Sequence, residues 1–291
     1  MEDTTGYFVY DHLTYEPLAE LGWDVVEIPW DRPGIDWSQF QAVVIRSTWN
    51  YQTQAERFLE ILDEIDQSGT KLFNPVDICR WNLDKRYLKD LERKDVPIVP
   101  TLWPEGLNEE SIQQGFQYFN VDRLVVKPIV GANADDTYIL SQHDPQSWDV
   151  GLRIFAQRPL LMQPFLSTIQ TEGECSLFYF GNQYSHAVLK LPKSGDFRVQ
   201  EEHGGQLRAI DPTTELLAAG QQAVDQLGQR LLYARVDFVN WEGMPYLIEA
   251  ELIEPSLYFP YAPESPKQFA QTLDAMVRPA PMPSRSSMNG W

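Results

Sequence analysis

Hydrophobic and polar positions along the chain follow two periodicities, one typical of strands and one typical of helices. Short apolar runs at 24–28 and 42–46 predict strands, and amphipathic stretches at 12–21 and 54–67 predict helices. Alternation of short strands with helices is typical of a sheet covered by helices. A small parallel-sheet domain is therefore expected over residues 1–77.

A second domain is expected over residues 78–278, with a small lid subdomain at 78–159 and a C-terminal subdomain at 160–278. Asn82 is a candidate N-cap for a helix whose apolar residues repeat at helical spacing through Leu91. The periodicity predicts further strands at 98–101, 124–127, 137–140, 160–165, 174–180, 184–191, 234–240 and 246–251, and helices at 145–157 and 213–230. The fold class predicted is mixed α/β (α+β). The aperiodic end, 279–291, is expected to be disordered.

Composition and charge limit the classes of partner. Hydrophobic residues make up 43% of the 291 residues, which indicates a globular protein. A formal net charge of −19 argues against a nucleic-acid partner, because phosphate binding needs basic surface. No apolar run reaches the length of a membrane helix, so no membrane partner is expected. Cys79 and Cys175 are far apart and match neither a disulfide scaffold nor a metal knuckle, which favours a cytoplasmic location.

Three carboxylates near the end of the second domain form a candidate metal site. A hairpin with its loop centred on Gly243 sets Asp237 opposite Glu249, and Glu251 two residues on points to the same face. Such carboxylates repel each other unless a cation lies among them, and oxygen ligands suit Mg²⁺ or Mn²⁺. A solvated acidic face is the alternative, but the apolar flanks favour partial burial and hence the metal site.

Two lysines are candidates for binding an anion. Lys127 ends an apolar strand, and a buried ammonium group needs a counter-charge. Lys85 is expected in the first turn of the helix after Asn82, where a cation opposes the helix dipole unless an anion offsets it. The loop at 130–136, rich in small residues, would let backbone amides approach phosphate. Each feature alone also fits an ordinary surface, whereas together with the carboxylates they form a phosphate-and-metal set.

Five ordered blocks between Asn82 and Glu254 and slightly beyond resemble the ATP-grasp superfamily. They are similar to its glutathione-synthetase-like branch, which includes the cyclo-ligase of cycloserine biosynthesis. The blocks that carry the resemblance are 82–101, 125–140, 161–180, 190–205 and 235–259. The resemblance implies an ATP-grasp fold preceded by a small pre-ATP-grasp domain. It also implies ATP with Mg²⁺ (or Mn²⁺) as cofactors and small-molecule carboxylate and amine substrates.

The resemblance also implies roles for individual residues. It implies that Lys85, Lys127 and a flap at Gly131 bind the phosphates, that a hinge at Gln163 and Phe165 binds adenine, and that Glu172 or Glu174 binds the ribose. It implies that Asp237, Glu249 and Glu251 bind magnesium. It also implies that Lys190 and Arg198 stabilise the transferring phosphoryl group. Many relatives have Asn at the third ligand position, so Glu251 adds negative charge. The flap has Ala, Asn and Ala at 132–134 in place of the usual glycines.

Two further residues are substrate candidates. Arg46 stands at the carboxyl end of a predicted strand, where α/β sheets bind ligands, and could clamp a carboxylate. Pairing of Arg46 with a nearby acid is the alternative. His203 lies in a glycine-bounded loop that could face substrate, although a polar loop contact is the favoured alternative.

The function predicted is an ATP-dependent ligase that activates a carboxylate as an acyl phosphate and joins it to an amine or similar nucleophile. Phosphoryl transfer needs metal and cations more than a nucleophilic side chain, and no nucleophile motif is apparent. A catalytically silent ATP-binding regulatory protein is one alternative, and a metal-dependent hydrolase is another. A homodimer is the default expectation for a soluble enzyme.

The N-terminus departs from the family pattern. Relatives open the first domain with a buried strand before the segment that matches GYFVYDHL, whereas here only the polar residues 1–5 precede it. The natural start is therefore expected upstream of Met1. An intact mass of 33.6 kDa for the native protein would contradict this expectation.

Overall fold

The computed structural model describes residues 1–131, 135–193, 196 and 198–278. Part of the expected flap, 132–134, lies outside the described residues. The same holds for the tail at 279–291, for which disorder was expected.

The N-terminal region is built on a two-stranded parallel sheet. Strands β1 (Ala42–Val44) and β2 (Lys71–Phe73) pair along its length, and helices α1 (Tyr15–Glu20) and α2 (Ala55–Gln67) belong to the same region. The buried stripe of α2 includes Phe58 and packs with the sheet. The predicted parallel sheet and both predicted helices are confirmed, with a short 3₁₀ turn before each helix.

The strand predicted at 24–28 is wrong. Among the described residues, no strand pairs with this segment, and Val26 is 64% exposed. Its flank is instead held by a side chain, since Trp23 Nε1 donates to Asp274 Oδ1 at 3.0 Å. Apolar alternation marks a segment that can form a strand, but a strand exists only where a neighbour supplies backbone partners.

Two short helices replace the single helix that was expected after Asn82, and the assignment of Asn82 as an N-cap is wrong. Asn82 lies inside α3 (Val76–Leu83), and α4 (Tyr87–Glu92) follows after a short connection that contains Lys85. Asn82 Nδ2 donates to the Ala250 carbonyl at 2.8 Å and its Oδ1 accepts from Leu252 N–H at 2.9 Å. These tertiary hydrogen bonds, rather than a helix cap, explain why an amide side chain is needed there.

The middle of the chain forms a three-stranded antiparallel sheet with strand order β4-β3-β5. Its elements are α5 (Glu109–Phe119), β3 (Arg123–Pro128), β4 (Tyr138–Ser141), α6 (Asp149–Phe155) and β5 (Leu160–Pro164). The three strands predicted there are confirmed. Residues 98–101 form one isolated bridge, between Ile98 and Leu247, instead of the predicted strand.

The last part of the chain forms a five-stranded antiparallel sheet with strand order β10-β9-β6-β7-β8. Its elements are α7 (Thr168–Thr171), β6 (Glu174–Phe180), β7 (Gln183–Leu191), β8 (Gln206–Ala209), α8 (Thr214–Asp225), β9 (Tyr233–Trp241), β10 (Met244–Glu251) and α9 (Ser265–Val277). Helix α8 ends earlier than predicted, ahead of Gly228 at φ 81°. The mixed α/β fold class is confirmed. No helix among the described residues is long and apolar enough to span a bilayer.

The two faces of the large sheet differ. Helices α4 and α8 pack on one face, whose core includes Leu177, Val236 and Phe238. The other face is apolar where α9 packs on Phe178 and is charged farther along the strands. The charged part faces a cavity that the small sheet closes from the opposite side.

Candidate active site

The β9–β10 hairpin brings the first two predicted metal ligands together. Its turn uses Glu242 and Gly243, both at positive φ, and Leu247 pairs with Phe238 beyond it. The register then shifts by one residue, so that Glu249 lies opposite Asp237, as predicted. Without this bulge Asp237 would face Ile248. The bulge therefore aims Glu249 at the cavity.

Arg235 is a central residue that the sequence analysis missed. It lies two residues before Asp237 on the same face, and its Nη2 is 3.0 Å from Asp237 Oδ2. The same guanidinium forms a salt bridge with Glu251 and lies over the ring of Tyr258. The signal in the sequence was the spacing, because a cation two positions from a buried acid on a strand shares its face.

A second ion pair crosses the next two strands of the same face. Glu174 and Lys190 are directly opposed, and their side chains form a salt bridge. Lys190 is 2% exposed and its Nζ is also 3.4 Å from Asp237 Oδ2. Gly173 allows the chain before β6 to lie close to the backbone of β7, because a Cβ at this position would lie 2.5 Å from the Lys190 carbonyl oxygen.

The two lysines expected at the phosphates differ in their partners. Lys85 is buried and forms a salt bridge with Glu249. Lys127 alternates with inward-facing Val126 on β3 and lines the cavity, and among the described residues no carboxylate forms a salt bridge with it. Burial lowers the pKa of Lys127, and neighbouring Lys85 lowers it further while Glu249 opposes the shift. Lys127 is therefore a cavity-lining cation that has no salt-bridge partner among the described residues and is available to bind an anion.

One part of the cavity, beside the connection from β5 to β6, is largely apolar. Its lining includes Val99, Phe165, Leu166 and Ile248. The Gln163 side chain is also buried there, and its Nε2 donates to Thr101 Oγ1 at 2.9 Å. An apolar slot with backbone and amide groups at its edge suits a flat heteroaromatic ring.

Most of the predicted site residues meet in this cavity. Its lining includes Lys85, Lys127, Gly131, Gln163, Phe165, Glu174, Lys190, Arg198, Asp237, Glu249 and Glu251. Arg198 also holds Asp196, with Nη2 2.8 Å from the carboxylate. These residues come from both sheets and from the connections around them.

Three predicted site residues do not line the cavity. Glu172 accepts a hydrogen bond from Asn240 Nδ2 at 2.7 Å, which leaves Glu174 as the acid that faces the cavity. Arg46 pairs with Asp11 at 2.8 Å and donates to the Pro255 carbonyl at 2.6 Å, as the alternative for this residue anticipated. His203 lies at the end of a 3₁₀ turn, Glu201–His203, beside the cavity-lining residue Glu202.

The expected metal ligands are held by cations in this structure. Lys85 pairs with Glu249, and Arg235 pairs with both Asp237 and Glu251. In the part of the chain that the structure describes, no three acidic, histidine or cysteine side chains converge as a metal cluster. The donor set nevertheless fits Mg²⁺, because all three groups are hard oxygen ligands on neighbouring positions of one sheet face.

The pKa values of the acids separate them into two groups. Burial alone would raise the pKa of Asp237, but Arg235 and Lys190 outweigh it and hold the value at about 2. Burial raises the pKa of Glu251 to about 7, with Arg235 opposing the shift. Burial and the nearby Glu251 raise the pKa of Glu254 to about 8. Lys85 and Lys127 likewise outweigh burial and lower the pKa of Glu249, so Asp237 and Glu249 are the metal-ligand candidates that stay ionised throughout the neutral range.

Two facing sheets with a cavity of paired cations and carboxylates between them define the class as ATP-grasp, and the comparisons with known proteins agree. A family model for the N-terminal domain of D-cycloserine synthetase DcsG matches residues 3–74. The cycloserine biosynthesis protein DcsG of Streptomyces lavendulae is 32% identical over 263 residues, which cover 86% of this chain and 88% of the relative. The chain belongs to the DcsG-like family of ATP-grasp proteins.

Solved structures show the same fold. The crystal structure of D-cycloserine synthetase DcsG has a TM-score of 0.79 at 27% identity and covers 92% of this chain and 95% of its own. The ATP-grasp ligase PsnB, solved with a precursor variant, Mg and ADP, has a TM-score of 0.66 at 17% identity, with 92% and 94% covered. The resemblance to the ATP-grasp superfamily is confirmed.

Proposed function

We propose that the protein is an ATP- and Mg²⁺-dependent ligase that activates a substrate carboxylate as an acyl phosphate and joins it to an amine or similar nucleophile. One observation carries the proposal. In a chain of net charge −19, five cations line one cavity: Lys85, Lys127, Lys190, Arg198 and Arg235. Gathering cations there against the overall charge is explained by a polyphosphate ligand.

The nucleotide is assigned to the hinge side of the cavity. The apolar slot at Phe165 and Leu166 accepts adenine, and Glu174 lies on the path toward the phosphates. Lys127 supplies charge to the phosphates without first breaking an ion pair. Lys85 has to exchange Glu249 for phosphate oxygens, which frees that carboxylate.

Asp237, Glu249 and Glu251 would hold magnesium. The metal, when bound, neutralises phosphate charge and supports transfer of the γ-phosphoryl group. Asp237 and Glu249 are the anchors among the three, because their lowered pKa values keep them charged over the whole neutral range. Arg235 then turns from carboxylate oxygens to the oxygens of the transferring group, as bidentate guanidinium groups do for phosphate.

The proposed chemistry has two displacements. A carboxylate oxygen of the substrate attacks the γ-phosphorus, the bond to ADP breaks, and an acyl phosphate remains. The nucleophile then attacks the carbonyl carbon, the bond to phosphate oxygen breaks, and inorganic phosphate leaves while nitrogen loses a proton. Arg235, Lys190 and Arg198 stabilise the charge that develops on the phosphoryl oxygens in both steps. DcsG, a D-cycloserine synthetase by name, supports small-molecule ligation as the class of reaction.

The experiment is calorimetric titration of ATP with and without magnesium, followed by measurement of ADP release across a pool of amino acids. We expect magnesium-dependent binding that Lys127→Ala weakens, together with ADP release that at least one pool member stimulates. Lys267→Ala, on the exposed side of α9, is the matched control and should bind ATP normally. Tight binding without stimulated release would favour the regulatory alternative. Unchanged affinity in Lys127→Ala would contradict the site assignment.

A further inference from the structure

A short segment of the connection between β7 and β8, residues 198–205, supplies part of the cavity wall. Four of its side chains line the cavity: Arg198, Val199, Gln200 and Glu202. Glu201 lies between two of them in sequence, but its carboxylate accepts hydrogen bonds from two tyrosines that belong to other parts of the fold. This residue therefore connects the segment to its surroundings.

Glu201 joins two regions that are far from it in sequence. Its Oε2 accepts from the Tyr10 hydroxyl at 3.2 Å, in the N-terminal region, and its Oε1 accepts from the Tyr261 hydroxyl at 2.9 Å, in the 3₁₀ turn before α9. The Glu201 side chain is half-buried, and the two phenols compensate for its partial removal from water. Burial, with the hydrogen bond to Glu201, raises the pKa of Tyr261 to about 12, so this phenol remains a donor over the neutral range.

The regions that Glu201 joins also contribute to the cavity wall. Tyr7 lines the cavity from the N-terminal region, and Tyr258 lines it from the connection between β10 and α9. The rings of Tyr258 and Tyr261 meet edge to face with centroids 6.1 Å apart. The Arg235 guanidinium lies over the Tyr258 ring, 5.8 Å from its centroid. The contacts of the Glu201 carboxylate therefore continue through two tyrosines to a central cation of the site.

The backbone around Glu201 forms a compact turn. The Gly204 N–H donates to the Glu201 carbonyl at 2.8 Å, and the Gly205 N–H donates to the Gln200 carbonyl at 3.0 Å. A Cβ at Gly205 would lie 2.0 Å from the Val199 carbonyl oxygen, so the turn needs glycine at this position. Because the turn is closed by its own hydrogen bonds, fixing the Glu201 side chain also fixes the cavity-lining residues beside it.

We propose that Glu201, held by Tyr10 and Tyr261, is a positioning residue that keeps the 198–205 segment in place, so that Arg198 reaches the phosphoryl group. This inference rests on the proposed function, in which Arg198 stabilises the charge on the phosphoryl oxygens. The salt-bridge partner of Arg198 is Asp196, which belongs to the same connection and moves with it. Glu201 instead ties the segment to the N-terminal region and to the turn before α9.

The first measurement is amide hydrogen exchange of the full chain, followed by mass spectrometry of the peptides that cover 198–205, and it needs no substrate. In Glu201→Ala, hydrogen bonds to a charged group are lost, so exchange of this segment should be about 10- to 100-fold faster. In Glu201→Gln, whose amide oxygen still accepts a hydrogen bond, the increase should be smaller. Glu264→Gln, at an exposed acid just before α9, is the matched control and should exchange like the wild-type protein. Unchanged exchange in Glu201→Ala would overturn the inference.

A double-mutant cycle assigns the effect to the three side chains. The double variant Tyr10→Phe/Tyr261→Phe removes both donors and should speed exchange of the segment in the wild-type background, but it should add nothing in the Glu201→Ala background. Equal effects in both backgrounds would overturn the inference. If Glu201→Ala does not fold, the double tyrosine variant alone provides the exchange measurement. Tyr118→Phe, at a tyrosine that is 69% exposed, is its control.

Turnover separates positioning from a purely structural role. With a substrate that stimulates ADP release, Glu201→Ala should lower kcat about 10-fold or more, because Arg198 is misplaced, while the KM for ATP stays within about 2-fold. An unchanged kcat in a variant whose segment exchanges faster would overturn the positioning role. Failure of the wild-type protein to bind ATP with Mg²⁺ would refute the ligase proposal itself, and the exchange measurements would still decide whether Glu201 holds the segment.

Discussion

The two faces of the five-stranded sheet are buried to a similar degree but differ in chemistry where the second face lines the cavity. On the face under α4 and α8, Phe238 is 1% exposed and its neighbours Leu177 and Val236 are apolar. On the cavity face, Asp237 and Lys190 are each 2% exposed and ionised groups meet across the strands. Alternate residues of the same strands therefore experience two different environments.

The difference separates what holds the protein together from what the protein does. Burial of apolar side chains on the first face stabilises the fold by about 25 cal/mol per Å² removed from water. On the cavity face, removal of charges from water costs about as much as their pairing recovers, so ion pairs such as Glu174 with Lys190 add little net stability. Under the proposed function, these buried charges serve ligand binding rather than stability.

The largest expected effect on stability is on the apolar face. Phe238→Ala removes a buried ring and leaves a cavity between the sheet and α8, which should lower the free energy of unfolding by about 3–5 kcal/mol. Urea denaturation monitored by tryptophan fluorescence measures the change. Met244→Ala, at an exposed position of the same hairpin, is the control and should cost less than about 0.5 kcal/mol. A loss below about 1 kcal/mol in Phe238→Ala would contradict the division between the faces.

A somewhat smaller loss of stability is expected when one positive charge is removed from the cavity face. Arg235→Met leaves Asp237 and Glu251 without their shared cation and should cost about 3 kcal/mol at pH 8. Arg235 is a main reason why the pKa of Asp237 is low, so the variant should allow protonation at higher pH. The cost should therefore shrink at pH 5, and a cost that stays constant between the two pH values would argue against this explanation. Arg57→Met, in an exposed salt bridge, is the control.

His186, on the cavity face beside Phe178, should make stability depend on pH. Burial lowers its pKa to about 4, while its Nε2 lies 3.1 Å from the Leu257 carbonyl. Because the folded-state pKa is below the unfolded value, the unfolded state takes up the proton first, and stability falls as the pH decreases from about 6.5 to about 4. Between pH 7 and pH 5 the contribution of His186 should be a loss of about 2 kcal/mol; it opposes the gain from Glu251 and Glu254 and is measured as the difference between the wild-type protein and His186→Gln. Urea midpoints of both proteins at the two pH values test the prediction, and parallel curves would disprove it.

The smallest effect on stability is expected at Lys127. This lysine has no salt bridge within the described residues, so Lys127→Ala should change the free energy of unfolding by less than about 0.5 kcal/mol. The same change should weaken ATP binding about 10- to 100-fold, because a charge-assisted hydrogen bond contributes about 1.5–3 kcal/mol. Unfolding and ATP titration of one preparation measure both quantities. A large loss of stability would assign Lys127 to the fold rather than to the ligand.

Local patterns predicted those parts of the site that lie within one hairpin or one strand. The opposition of Asp237 and Glu249 followed from the hairpin, although a bulge that the pattern did not indicate was needed to produce it. Lys127 followed from its apolar strand. The two-helix arrangement around Lys85 was not predicted from the local pattern. It depends on the hydrogen bonds from the Asn82 side chain to the backbone at 250–252, which is far away in sequence.

The amino-acid sequence by itself determined the mixed α/β class, the strands of both antiparallel sheets except β8, and the residue types that suit phosphate and magnesium. These follow from periodicity and side-chain chemistry, which act over a few residues. Only the tertiary structure decided that 24–28 forms no strand, that Arg235 joins two carboxylates, and that Glu201 accepts hydrogen bonds from two distant tyrosines. Backbone pairing and charge balance depend on neighbours that are distant in sequence, so chain folding has to bring those neighbours together before either can be known.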